Sequence, residues 1–229
     1  MKFATPNYNN RRAEELTGRL AADPSYSRSG KVASDLLAEF HRGYPLENLR
    51  PLLHNDNTEL VKIGTWIASE LGEKGSALLN DVSPLLQHGD SRVRFFAIDC
   101  ILLWADPSKG PELASVVNLI EDPESRVRWK VMDFLSRATR EQLAAALSYF
   151  EATSPRSKNT RGLRLLLGSG AENPKEATAA LHDQDDVMRK YGVVLARRVA
   201  EINTDPLLYA ASIDDRDVKD FADTSISLL

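Results

Sequence analysis

Pro84-Leu85-Leu86-Gln87-His88-Gly89-Asp90-Ser91-Arg92-Val93-Arg94, followed by an apolar run to Trp104, is restated as Leu119-Ile120-Glu121-Asp122-Pro123-Glu124-Ser125-Arg126-Val127-Arg128, with a second apolar-periodic run to Leu135. Ser-Arg-Val-Arg returns 34 residues on. Self-similarity at such a period marks a repeat architecture. One supersecondary unit cannot bury its apolar face alone, and stacked neighbours bury it together.

Working outward, apolar residues recur at helical spacing between short breakers. Helices are expected at 11–22, 30–42, 45 to about 54, 58–71, 76–88, 91–104, 111–121, 124–138, 140–152, 158–167, 174–182, 185–202, 205–212 and 216–228. Gly43 suits a C-terminal stop. Asn57 or Thr58 suits a cap. Pro84 is expected to kink the helix that contains it. Gly168-Ser169-Gly170 is the expected hinge. Aligning the second helix of each pair puts Ala33, Gly64, Ala97, Val131, Gly162, Gly192 and Ala222 in one column, with steps of 30 to 34 residues. Small residues there let the two helices of a hairpin approach closely. The expected fold is all-α, a right-handed α-solenoid of about seven antiparallel hairpins. Residues 1–10 form an irregular arm and 11–229 a single solenoid domain.

The totals agree. A chain of 229 residues, 42% hydrophobic, fits one elongated domain or two small ones. The net charge of −4 argues against a dedicated nucleic-acid binder, whose affinity comes from neutralising phosphates. Cys100 is the only cysteine, so neither an internal disulfide nor a Cys-based zinc cluster is expected. The start lacks an apolar signal core, and no stretch approaches the roughly 20 apolar residues of a span. A cytoplasmic setting without membrane contact is expected.

The turns Asp90-Ser91-Arg92-Val93-Arg94, Asp122-Pro123-Glu124-Ser125-Arg126-Val127-Arg128, Asp183-Gln184-Asp185-Asp186-Val187-Met188-Arg189 and Asp214-Asp215-Arg216-Asp217-Val218-Lys219 resemble the HEAT repeat. That family's turn carries Asp-Pro, and its second helix opens with Val-Arg. The resemblance runs from about Pro45 to the C-terminus. It implies a solenoid whose second helices line a concave face, and a ladder in which turn Asp and helix Arg join adjacent units. Here the ladder falls on Asp122 with Arg128 and Asp183 with Arg189, with Arg94 and Lys219 in matching places.

Chemistry-bearing constellations are sparse. His54 and His88 occupy the same place in consecutive units, about 10 Å apart by helix-packing distance, too far to share a metal. His182 ends another first helix. Cys100 reads as a small buried hydrophobe. No phosphate-binding loop of the P-loop kind occurs. No cofactor and no metal are expected. The basic stretch Arg156, Lys158, Arg161, Arg164 reads as a solvated helix face.

The second-helix face is what remains. Lys62, Trp66, Asp99, Trp129, Lys130 and Asp133 are the expected partner-binding residues, aromatic anchors among charges of both signs. Trp129 can equally pack between units, and Phe95 reads rather as packing. The expectation is a non-catalytic scaffold that binds another protein through its concave face, most concretely a cytosolic inhibitor or immunity protein against a toxin domain. The alternative is a HEAT-like DNA glycosylase or tetrapyrrole-lyase-type enzyme using Trp66, Trp129, Asp99 and Asp133.

Overall fold

A computed structural model describes residues 10–23, 30–168 and 173–229; the described residues form helices and turns and contain no strand. The expected arm up to Asn9, the Pro24-Ser25 break and the Ser169-Gly170 part of the hinge lie outside them. The chain divides into two compact units, Met1–Trp104 and Ala105–Leu229.

In the first unit, α1 (Arg11–Ala22) buries Ala13, Leu16 and Leu20 against α2 (Lys31–Arg42). Gly43 ends α2 in the left-handed region, φ 114°, and its N–H returns to the Glu39 and Phe40 carbonyls. The helix expected from residue 45 is a 3-10 turn, Leu46–Leu49, running into the short α3 (Arg50–Leu53). The side chain of Asn57 caps α4 (Thr58–Glu70) by accepting from the Glu59 N–H at 2.9 Å.

The helix expected at 76–88 is not one helix. The chain runs as a 3-10 segment Gly72–Leu78, then α5 (Leu79–Val82), then a 3-10 segment Ser83–Gln87, before α6 (Ser91–Trp104). The first 3-10 segment lies against Trp104. Its indole N–H donates to the Gly72 carbonyl at 2.7 Å, and its ring lies so close over Gly75 that a Cβ there would sit 2.2 Å from ring atom Cζ2. The segment wraps the indole, and Pro84 lacks the N–H that a continuing α-helix requires.

The second unit comprises four hairpins. These are α7 (Gly110–Asn118), prolonged by a 3-10 turn at Leu119–Glu121, with α8 (Ser125–Arg137); α9 (Arg140–Thr153) with α10 (Lys158–Leu167); α11 (Pro174–Leu181) with α12 (Asp186–Arg198); and α13 (Asp205–Ala210) with α14 (Arg216–Ser227). Thr139 and Gln142 close a reciprocal capping box at the start of α9. The Gln142 amide N–H also donates to the Ala105 carbonyl at 2.8 Å.

All seven residues of the small-residue column are buried. Gly64 meets Leu52 and Leu53, and Gly192 meets Ala180 and Leu181, each across its own hairpin. Gly162 differs: it faces Tyr191 on α12, the next repeat, so here the missing side chain serves stacking between repeats.

The stacking within this unit departs from a simple row. Every residue from Tyr191 to Ala196 is buried, which marks α12 as an interior helix rather than a one-faced one. It packs against α8, α10, α11, α13 and α14, and α14 in turn reaches α8. The N-terminal half of α8, expected to lie open on a concave face, is therefore partly covered by α14.

Candidate functional site

The repeated turn comes first, because it holds the helix starts in place. Asp90, Asp122 and Asp183 each accept, through Oδ1, the backbone N–H two residues on, at 2.8, 2.9 and 2.9 Å. Six residues after each turn begins, an arginine reaches back. Arg94 Nη1 donates to the His88 and Gly89 carbonyls at 2.7 and 3.0 Å. Arg128 Nη1 donates to those of Asp122 and Pro123 at 2.7 and 2.9 Å, and Arg189 Nη1 to those of Asp183 and Gln184 at 3.1 Å each. The second Arg of Ser-Arg-Val-Arg thus satisfies carbonyls that its own turn leaves open.

Arg128 and Arg189 engage Asp122 and Asp183 through the backbone carbonyl, and further donors of both go to the start of α14. Arg128 forks onto Asp217 at 2.6 and 2.9 Å, and Arg189 Nε donates to Asp215 at 2.8 Å. The Asp217 hydrogen bond is the main cause that raises the Arg128 guanidinium above its ordinary pKa, against the cost of burial. The backbone N–H of Asp185 holds the Asp183 carboxyl below its ordinary range, opposed by burial and helped by Arg161.

The first unit carries a groove of about 410 Å³ between the N-terminal part of α2, α4 and α6. Its apolar wall is Ala33, Ile63, Trp66 and Phe96, and its charges are Glu59, Lys62 and Arg92. Helical spacing builds it: Lys62 and Trp66 stand one turn apart on α4, and Arg92 and Phe96 one turn apart on α6. Lys62 Nζ is held by Glu59 at 2.6 Å and Asp90 at 3.5 Å. Burial raises the Asp90 carboxyl, but the Arg92 N–H and Lys62 outweigh it and keep the group below its ordinary pKa. Arg92 is exposed and has no ion pair among the described residues.

Of the six expected binding residues, the structure brings Lys62 and Trp66 together in this groove. Asp99 is half-buried on α6 and does not line it. Trp129, Lys130 and Asp133 stand in the other unit. The Trp129 ring lies against Phe221 of α14, centroids 5.8 Å apart. Lys130 is 8% exposed, with its ammonium 3.4 Å from Asp133 and 5.7 Å from the Trp129 ring centre. Asp133 also takes Arg137 at 3.3 Å. On α8, Trp129 packs against α14, while Lys130 and Asp133 pair along the helix itself.

The other candidates find local partners. His54 Nε2 lies 2.8 Å from Asp81, His88 Nδ1 accepts the Asp90 N–H at 3.0 Å, and His182 Nδ1 lies 3.2 Å from the Tyr209 hydroxyl. Cys100 is fully buried, and burial followed by the Asp99 charge pushes its thiol well above the ordinary value. In the basic stretch, Lys158 meets Glu121 and Asp185, Arg161 meets Asp183, and Arg164 meets Glu151. Acids distant in sequence supply the balance that the stretch itself lacks.

No family model matches the chain, and no curated protein matches it. Solved structures do. A designed armadillo repeat protein in complex with the peptide (KR)4 is 12% identical, over 97% of this chain and 99% of its own, with a TM-score of 0.50. Two engineered proteins from a structural genomics consortium are 13% and 15% identical, each over 80% of this chain, with TM-scores of 0.43 and 0.42. This is an all-α helical-repeat fold.

The residues of this repeat fold that sequence reasoning passed over are Arg92 and Phe96. Their spacing repeats that of Lys62 and Trp66, which was the signal available. No group of three or more His, Cys, Asp or Glu side chains among the described residues is placed to hold a metal ion. No helix among them is long and apolar enough to cross a membrane.

Proposed function

We propose that the chain is a non-catalytic scaffold that binds another protein, and that the groove of its first unit takes the partner segment. The observation that carries this is the juxtaposition of two half-buried aromatics, Trp66 and Phe96, with the cations Lys62 and Arg92 at the edge of a groove of about 410 Å³. Aromatic anchors desolvated beside charge are where binding energy concentrates. The designed armadillo repeat protein is held in complex with a basic peptide; here the unpaired charge at the groove is Arg92, so the fitting segment has an apolar anchor flanked by Asp or Glu.

Panning a displayed peptide library against the full chain tests this. Selected binders are expected to carry that pattern and to lose at least about tenfold in affinity, roughly 1.4 kcal/mol, on Trp66→Ala. Arg92→Glu, at an exposed position, is expected to weaken the same binders without lowering the melting temperature. Binders indifferent to both substitutions would place the interaction elsewhere.

The narrower reading is a cytosolic inhibitor that neutralises a toxin domain, motivated by the net charge of −4. The product of an adjacent gene is then expected to arrest growth when expressed alone and to be harmless when co-expressed. A neighbour harmless by itself counts against the inhibitor role and leaves the groove untouched.

A further inference from the structure

The second unit holds a different site. Ser136 and Arg137 at the end of α8, with Arg197 and Arg198 at the end of α12 and Glu201 just beyond, line a polar pocket of about 370 Å³. Three guanidiniums face one carboxylate. We propose that this pocket binds a phosphate group.

Each of the three arginines keeps donors that no group among the described residues takes. Arg198 is half-buried. Its Nε and Nη2 donate to the Leu135 and Ala138 carbonyls, closing the C-terminal end of α8. The C-terminal carbonyls of α8 offset this charge only in part, by about half a unit, and no carboxylate among the described residues pairs with the guanidinium; burial moves it downward from its ordinary value. Arg198 lines the pocket, and its Nη1 donates to no group among the described residues. Arg197 is half-buried and makes neither an ion pair nor a side-chain hydrogen bond with the described residues. Arg137 is joined to Asp133 at 3.3 Å through Nη1 only. The Ser136 hydroxyl donates to the Asp133 carbonyl at 2.8 Å, which leaves its oxygen as an acceptor and the arginines as the donors.

A partly desolvated guanidinium without a counter-charge is costly, and an oxyanion offsets that cost with paired, charge-assisted hydrogen bonds. The planar fork suits phosphate and carboxylate alike. One uncommitted guanidinium, Arg197, beside two that keep donors to spare favours the more highly charged phosphate. The volume exceeds one phosphate, so room remains for the group that carries it.

Titration of the full chain with inorganic phosphate at constant ionic strength, followed by amide NMR shifts around residues 136–138 and 197–201, tests the site. Saturable shifts are expected, with chloride producing none and acetate binding at least tenfold more weakly. Arg197→Gln is expected to weaken phosphate at least tenfold, and Arg197→Lys by less. Glu201→Gln removes the one opposing charge and is expected to tighten binding about threefold, a gain that a purely structural pocket does not give. Arg198 is left intact because it closes α8. Comparing a phosphoserine peptide with a mononucleotide then identifies the carrier, the tighter of the two. Shifts that fail to saturate, acetate equal to phosphate, or affinity unchanged in both Arg197→Gln and Glu201→Gln would overturn the proposal.

Discussion

Asp217→Ala is expected to destabilise the second unit by about 3 kcal/mol, at the low end of the cost of breaking a buried ion pair. Asp217 receives a two-pronged hydrogen bond from Arg128 on α8 and lies 3.8 Å from the ammonium of Lys190 on α12. The Arg128 and Asp217 side chains are 20% and 14% exposed, and that of Lys190 only 4%. The carboxylate ties α14 to both α8 and α12, so removing it leaves Arg128 with turn carbonyls alone and Lys190 with Asp186 alone. Replacing both partners by apolar groups, Arg128→Met with Asp217→Leu, removes the desolvation cost along with the attraction. That double variant is expected to lose less than Asp217→Ala, its remaining cost being about 1–2 kcal/mol for the Asp122 and Pro123 carbonyls that Arg128 no longer satisfies. Urea denaturation of the three proteins decides it. A loss under about 0.5 kcal/mol in Asp217→Ala would show a solvent-screened contact, as exposed pairs are.

The same residue shows where sequence reasoning stopped. Glu201, Asp205, Asp214, Asp215, Asp217, Asp220 and Asp223 looked alike, a charged surface on the last repeat. Two of them turn inward, onto Arg189 and Arg128, and the second contact spans 89 residues. Helical periodicity marks which face of α14 is apolar; it does not say that α8 lies against that face's edge. The helices themselves were legible because their apolar stripes and breakers are local, and α1, α6 and α10 begin and end where the pattern placed them. The segment before α6 was not, because it begins against an indole about thirty residues on. In the candidate site, Lys62 and Trp66 were readable as a one-turn pair on a second helix. Arg92 and Phe96 have the same spacing, on either side of Arg94, which donates to carbonyls of its own turn.

Trp129 links these two points. An exposed aromatic at a repeat position can anchor a partner or pack on a neighbour, and its own sequence does not separate the cases. Phe221 separates them: with the two rings 5.8 Å apart, the neighbour is within the unit. The groove of the first unit then carries the recognition argument by itself, and Trp66 rather than Trp129 is the aromatic to substitute when binding is measured.

Gly162→Ala is expected to cost about 3 kcal/mol, the upper end for overpacking. Alanine favours a helix interior over glycine by about 1 kcal/mol, so the sign depends entirely on what the new methyl group meets. It meets the Tyr191 ring, 2.2 Å from Cδ2 and Cε2. That ring has no room to retreat. Tyr191 is fully buried, its hydroxyl donates to Asn159 at 3.1 Å, and the Asn159 amide donates to Asn118 at 3.1 Å. Burial pushes the phenol far above its ordinary pKa, so it stays a neutral donor and the chain of three side chains holds at any working pH. Moving the ring means breaking that chain or shifting α12, the helix on which the unit packs. Tyr191→Leu in the Gly162→Ala background is expected to restore part of the loss, because the clash goes with the ring. Gly18→Ala is the internal control: nothing lies within 4 Å of its Cβ position on the exposed side of α1, and a gain of about 1 kcal/mol is expected. Denaturation curves in which Gly162→Ala matches or exceeds the parent would mean that α10 and α12 are not packed through this glycine.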